Sequence, residues 1–349
     1  MQNNTYTISK KDLFDLLSRL AVSSKVVVPY LKGDKLYFDD FDPSKEDSIE
    51  LGGIRQSQPF KSFINPIREK ILGPGPGEKR PLVVAGVKGC DLSSLILQDF
   101  VYQGGDVEDP FYRENRKNMT IIAADCTYAK ETCFCLAMEG APYPRKYFDL
   151  SIASVDNYFL VEVGSPKGAK IADDFRMFFK PTPPHAANVR QSLRDKVTKQ
   201  IEGFIRNRGT PDTVKIKGAV KKNYHRTDFW ADMASTCVEC GACNLACPTC
   251  HCFLLFDEKD ASGAKRFREW DACLYSTFAR VAGDHNPRKH LHERLRNRLD
   301  KKFEFFPQVL NYFACTGCGR CIEACPGNID IREVLKGLVL ERWNKPPHD

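Results

Sequence analysis

Two stretches share one spacing: CVECGACNLACP at residues 237–248 and CTGCGRCIEACP at residues 315–326. Both read C-x2-C-x2-C-x3-C-P, and they form the one internal repeat of the chain. A cubane [4Fe–4S] cluster needs four thiolates in a roughly tetrahedral array. Three cysteines spaced by two residues wrap a tight turn around one face, and the fourth points away to the other cluster of a pair. The proline that follows stops the chain from continuing as regular helix into the cluster. Glycines at 241, 317 and 319 let the backbone come close and offer N–H groups to sulfur. The spacing therefore predicts one cluster on Cys237, Cys240, Cys243 and Cys325, and a second on Cys315, Cys318, Cys321 and Cys247. Zinc is the competing reading, but zinc ligands come as separated pairs rather than triplets with a trailing C-P.

The two runs lie far apart, with 68 positions from Cys247 to Cys315. The intervening chain (EKDASGAKRFREWDACLYSTFARVAG, then NPRKHLHERLRNRLDKKF) reads as helix-rich, which favours a ferredoxin domain of the α-helical type.

Upstream the pattern changes. SKKDLFDLLSRL (9–20) has a serine cap and apolar residues at 13, 14, 16, 17 and 20, the spacing of an amphipathic helix. KVVVPYLKGDKLYFDD predicts two strands about Gly33 and Asp34, and GPGPGEKRP (73–81) a rigid surface loop. PLVVAGV (81–87) and MTIIAADC (119–126) read as buried strands flanking a short helix in KGCDLSSLILQDF, with Asp91 as its cap; FDLSIASVDNYFLVEV (148–163) reads as a hairpin. NVRQSLRDKVTKQIEGFIRNRG (188–209) predicts a helix stopped at Gly209, and TPDTVKIKGAVKKN (210–223) a linker. The expectation is an α+β fold: an N-terminal α/β domain over 1–215 and an α-helical ferredoxin domain over 224–349, the boundary near 210–225.

DCTYAKETCFCL (125–136) adds Cys126, Cys133 and Cys135, and Cys90 is the other cysteine of the N-terminal half. If the two buried strands are parallel neighbours, Cys90 and Cys126 leave the sheet at the same edge, where such sheets build their sites. Four thiols near one edge suit a third [4Fe–4S] cluster. A redox-active disulfide, a zinc site and buried thiols remain open, because C-x-C does not wrap a cluster as C-x2-C does. Cys250, Cys252 and Cys273 read first as packing beside the clusters and second as an extra site or a contact for a sulfur substrate. His251 reads as a satisfied side chain. Arg55 and Lys61 could meet an acidic ligand, but a solvated loop is the simpler reading.

Fifteen cysteines in 349 residues is the outlying figure. The N-terminus lacks the apolar core of a signal peptide, so clustered cysteines point to metal, and a cytoplasmic location is expected. No apolar run is long enough to span a bilayer. A net charge of +7, densest at 215–226 and 285–302, reads as a solvated surface and then as a face for an acidic partner. No basic stripe interleaved with aromatics argues for nucleic acid. Gly86 and Gly89 lack the rest of a dinucleotide fingerprint; no P-loop, HExxH or nucleophile elbow occurs, and no catalytic residue is assigned.

The succession VKGCDLSSL, DCTYAKETCFCLAMEG, CVECGACNLACPTCHCF, REWDACLYS, AGDHNPR and CTGCGRCIEACPGNIDI resembles the iron–sulfur subunit of anaerobic sulfite reductase and, equally, the beta subunit of soluble cytoplasmic sulfhydrogenases. It runs over about residues 80–335. The resemblance implies an electron wire beside a flavin- and NAD(P)H-binding subunit, with FAD or FMN on that partner, feeding a catalytic redox subunit with sirohaem or a nickel–iron site. Cys90, Cys126, Cys133 and Cys135 match positions that also carry cysteine in that pattern. An anaerobic host is a further expectation. The alternative is a sulfur-species reductase acting at the N-terminal cysteines.

Overall fold

The structure is a computed structural model that describes residues 5–72, 80–261 and 263–340. The predicted loop at 73–81 lies, but for its last two residues, outside these. Strand β1 (Thr5–Ser9) leads into α1 (Lys10–Ser23), where the Ser9 side chain accepts from Asp12 N as the expected cap. Strands β2 (Lys25–Lys32), β3 (Lys35–Asp40), β4 (Arg68–Leu72) and β5 (Leu82–Val87) follow. Then come α2 (Gly89–Ser93), α3 (Leu95–Gln103), α4 (Pro110–Lys117), β6 (Met119–Ala124), β7 (Leu150–Val155), β8 (Tyr158–Val163), α5 (Pro166–Asp174) and β9 (Lys180–Pro181).

Eight strands make one sheet in the order β3-β2-β5-β6-β7-β8-β1-β9. β2, β5, β6 and β7 run parallel, and the outer strands are antiparallel. The parallel strands bury both faces, with side chains alternating by two. Val26, Val28, Val83, Ala85, Ile122 and Ala124 pack with α1, while Val27, Val84, Ile121 and Ala123 pack with Leu92, Leu95 and Tyr112 of the helices opposite. The parallel register of β5 and β6 delivers Cys90 and Cys126 to one sheet edge, as expected.

Helix α6 (Ala186–Arg208) ends at Gly209 with φ of 61°, again as expected. The predicted linker is instead α7 (Thr213–Ile216) and α8 (Ala219–Lys222), whose Ile216 and Val220 are fully buried against Trp230, Leu299 and Leu335. The two apolar residues sit on separate short helices either side of Gly218, φ 74°, and are brought onto one core by tertiary packing that local spacing does not reveal. The rest comprises α9 (Thr227–Met233), α10 (Ala242–Leu245), β10 (Phe253–Asp260), β11 (Gly263–Trp270), α11 (Leu291–Asp300), a π-helical turn at Lys301–Phe305, α12 (Phe306–Leu310), α13 (Arg320–Glu323) and α14 (Ile331–Val339).

The helix-rich reading of the segment between the cysteine runs fails over 253–270. There β10 and β11 form a hairpin, and β4 from the N-terminal half joins it as the third strand. The segment's Glu, Lys, Ala and Arg favour helix, but cross-strand pairs override propensity. Arg266 meets Asp257 at 2.7 Å, Phe256 stacks on Phe267 at 5.6 Å, and Arg68 of β4 sits 4.4 Å over the Phe267 ring.

Candidate metal centres

The two cysteine runs fold alike. The third and fifth residues of each have positive φ: Glu239 (56°) and Gly241 (69°), Gly317 (62°) and Gly319 (76°). A four-residue helix follows at the same offset, α10 in one run and α13 in the other. The glycines are also required by space. A Cβ at 317 would lie 2.5 Å from the Phe134 carbonyl, and one at 319 would lie 2.3 Å from the Thr132 carbonyl.

Cys237, Cys240 and Cys243 of the first run line a cavity together with Cys321 and Cys325 of the second. The fourth cysteine of one run thus faces the first three of the other. Cys240 is exposed. Arg298 also lines this cavity. It is 5% exposed, donates to the Cys243 carbonyl at 3.1 Å, and its Nε has no hydrogen-bond partner. Burial would depress the guanidinium pKa, but the thiolates of Cys243, Cys250, Cys321 and Cys247 raise it well above the ordinary value. An orphaned buried N–H facing a ring of thiols fits a bound anion that carries sulfur, which a thiolate-ligated iron–sulfur cluster is.

Cys247 belongs electrically with the second run. Burial pushes the Cys315 thiol up to about 12, and Cys247 and Cys318 add to the rise; Cys321 is raised by burial with the same neighbours. Lys302, on the π-helical turn and buried, points its Nζ at Cys247 Sγ (3.3 Å), Thr249 Oγ1 (2.9 Å) and the Ala314 carbonyl (2.9 Å). Its neighbouring anion is sulfur. Such a donor orients a thiolate ligand and stabilises negative charge on it.

Cys90, Cys126, Cys133 and Cys135 do come together. They line one cavity, joined by Cys318 and roofed by Ile54, Arg55 and Ile201. Burial pushes the Cys126 thiol up to about 12, against the pull of Lys88. The loop 132–135 lies directly on the second run: Phe134 N donates to the Gly317 carbonyl at 2.8 Å. Arg55 donates to the Cys318 carbonyl and pairs with Glu323 at 2.5 Å. Arg320, between Cys318 and Cys321, grips Asp91 with two bonds of 2.9 and 2.7 Å. Lys88 donates to the carbonyls of Leu51, Gly52 and Asp125.

Asp91 is not a helix cap; it is fully buried as the partner of Arg320 and of Phe60 N. Arg55 and Lys61 do not sit in a solvated loop. Both are 4% exposed, and Lys61 donates to the Cys250 carbonyl at 2.8 Å beneath the Trp270 ring. The basic stretch 285–302 is not wholly a solvated face, since Arg294, Arg298 and Lys302 are buried. Their spacing of four residues, one face of a helix, was the signal available in the sequence. His251 is satisfied as expected: its Nδ1 meets the Thr249 carbonyl at 3.2 Å, and burial lowers it to about 4. Cys250 is a neighbour of Cys247, and Cys252 of Cys273. Among the described residues, no three His, Cys, Asp or Glu side chains gather closely enough to grip a single metal ion.

Thiols gathered around shared cavities, buried cations beside them and a repeated positive-φ loop define the class, a 4Fe-4S protein. Residues 236–329 match the family described as the 4Fe-4S dicluster domain. Over 336 residues the chain is 31% identical to "Sulfhydrogenase 2 subunit beta" of Pyrococcus furiosus, covering 93% of this chain and 96% of the relative. The chain belongs to the family of sulfhydrogenase beta subunits. It is an iron–sulfur protein of the electron-transfer class with a mixed α/β fold and its dicluster domain toward the C-terminus. Among the described residues, no helix is long and apolar enough to cross a membrane.

Proposed function

We propose that this protein is the electron relay of a multi-subunit oxidoreductase, passing single electrons between a partner that binds flavin and NAD(P)H and a second partner that carries the catalytic redox site. The flavin, FAD or FMN, resides on the first partner. The observation that carries the reading is continuity. The second cysteine run borders both other groups, with Cys321 in the wall of the first cavity and Cys318 in the wall of the third.

In this reading Cys237, Cys240, Cys243 and Cys325 hold one [4Fe–4S] cluster, Cys315, Cys318, Cys321 and Cys247 the second, and Cys90, Cys126, Cys133 and Cys135 a third. When bound, such clusters exchange single electrons without making or breaking substrate bonds. The chain's own residues place and tune them. Arg298, Lys302, Arg55 and Arg320 supply buried positive charge beside the thiolates. The apolar floor of Leu274, Leu295, Leu299 and Val334 excludes water from the first cavity. Exposed Cys240 makes that cavity the end nearest solvent and hence a docking end for one partner. The domain division at 1–215 and 224–349 is part of the same proposal, with β4 reaching across to β11.

The test is iron and acid-labile sulfide per chain on anaerobically purified protein, with EPR of the reduced sample. About twelve irons are expected, and Cys133→Ser should remove about four of them. About eight irons in the wild type, unchanged in the variant, would refute the third site.

A further inference from the structure

Twelve of the fifteen cysteines have a place in that reading; Cys250, Cys252 and Cys273 do not. Two of them form a pair. Cys252 immediately precedes β10 and Cys273 follows β11 by three residues, so both sit at the open base of the hairpin. The ladder closes there with Phe253 opposite Trp270, and Asp271 N donates to the Cys252 carbonyl at 3.0 Å. Just beyond it Cys252 and Cys273 are neighbours, close enough for each to influence the other's protonation. The hairpin is a rigid frame that holds them at that separation.

The pair is also tied to the first cysteine run. Asn244, 1% exposed, donates from Nδ2 to Cys273 Sγ at 3.0 Å, while its Oδ1 lies 3.5 Å from Cys243 Sγ. One buried amide therefore bridges a proposed cluster ligand and the thiol pair. Tyr275, two residues past Cys273, closes over Gly241 and reaches the Cys240 carbonyl at 3.4 Å. Cys252 is partly exposed, so protons and small thiols have an approach from its side, while Cys273 is buried.

We infer that Cys252 and Cys273 are a dithiol–disulfide couple that stores two electrons beside the iron–sulfur sites. On oxidation one S–S bond forms, two S–H bonds break, and two electrons and two protons leave. On reduction the S–S bond breaks, two electrons enter one at a time, and each sulfur takes one proton from solvent. A small-molecule disulfide serves as oxidant by thiol–disulfide exchange, its own S–S bond being reduced to two thiols. The inward electrons come from the reduced clusters, and this clause alone rests on the relay reading. Cysteines held side by side at the closed end of one ladder reach bonding distance by side-chain rotation when their backbones lie within the span of a disulfide. Such a couple converts between one-electron carriers and two-electron chemistry.

The experiment uses the full-length holoprotein, anaerobic, poised in mixtures of glutathione and glutathione disulfide. Samples are acid-quenched, alkylated, digested and read by mass spectrometry. The expected result is a Cys252–Cys273 cross-linked peptide at oxidising poise, replaced by the doubly alkylated form at reducing poise along a two-electron Nernst curve of about 30 mV per decade. Cys252→Ser should abolish the cross-link and leave the iron content unchanged. Two free thiols at every poise, or a link from Cys252 to another cysteine, would overturn the proposal. Loss of about four irons in Cys252→Ser would overturn it too, because Cys252 would then be a cluster ligand. If the cross-link opens with glutathione but not with reduced methyl viologen as sole reductant, the couple stands and the relay is refuted as its electron source.

Discussion

Replacing Asp91 by alanine strikes the strut between the sheet edge and the second cysteine run. Asp91 is fully buried, and Arg320 is 2% exposed. Their two bonds are 2.9 and 2.7 Å, and Arg320 Nε also donates to the Gln56 carbonyl at 2.7 Å. Removing the carboxylate leaves a guanidinium buried with no counter-carboxylate, which costs about 3–5 kcal/mol. The Cys318 and Cys90 thiolates also attract Arg320, which places the cost toward the lower end. Unfolding entropy of about 2.1 cal/mol/K per residue gives roughly 0.7 kcal/mol/K for this chain, so the loss appears as a fall in Tm of about 4–7 °C. The assay is anaerobic thermal unfolding at one fixed scan rate, followed by near-UV circular dichroism, with the scan rate held constant because release of the clusters makes unfolding irreversible. Asp91→Ala combined with Arg320→Met should recover part of the loss, since the unpaired guanidinium is gone while Phe60 N and the Gln56 carbonyl stay without their partners. A fall of less than about 1 °C in the single variant would refute the reasoning. So would a double variant as unstable as the two singles summed.

Gly319→Ala should lower Tm by several degrees and reduce iron per chain, because φ is +76° and the new Cβ would lie 2.3 Å from the Thr132 carbonyl; unchanged iron and Tm would contradict the close approach. Lys302→Met removes the cation 3.3 Å from Cys247 Sγ and should make the midpoint potential of that site more negative by on the order of 40 mV for each kcal/mol of lost preference for the reduced state. An unshifted EPR-monitored titration would count against that role. His251 is held neutral by burial, its pKa lowered to about 4 from 6.5. Between those values the unfolded chain binds the extra proton, so stability falls as the pH drops from about 6.5 to 4, by up to about 3 kcal/mol. His251→Gln should flatten that part of the stability–pH curve, and an unaltered slope would show that another group carries it.

The spacing of the cysteine runs sufficed to predict the dicluster domain, because a cubane's ligand geometry is imposed locally by a few consecutive residues. Likewise the buried strands at 82–87 and 119–124, the cap at Ser9 and the stop at Gly209 were legible, since each depends on side-chain periodicity or one backbone dihedral. Cys90 and Cys126 could be brought to one edge by the logic of parallel sheets alone. The hairpin at 253–270 was not legible, because its helix-favouring residues are held as strands by distant partners, such as Arg68 on Glu258, 190 positions away. Nor were the buried cations. A lysine or arginine in a basic run reads as solvated until the fold sets sulfur beside it, as it does for Lys302 and Arg298. The pairing of Cys252 with Cys273, the bridge through Asn244 and the seating of loop 132–135 on Gly317 and Gly319 are decided only in three dimensions. Each depends on contacts between segments that the sequence holds apart and that only the packed core brings within reach.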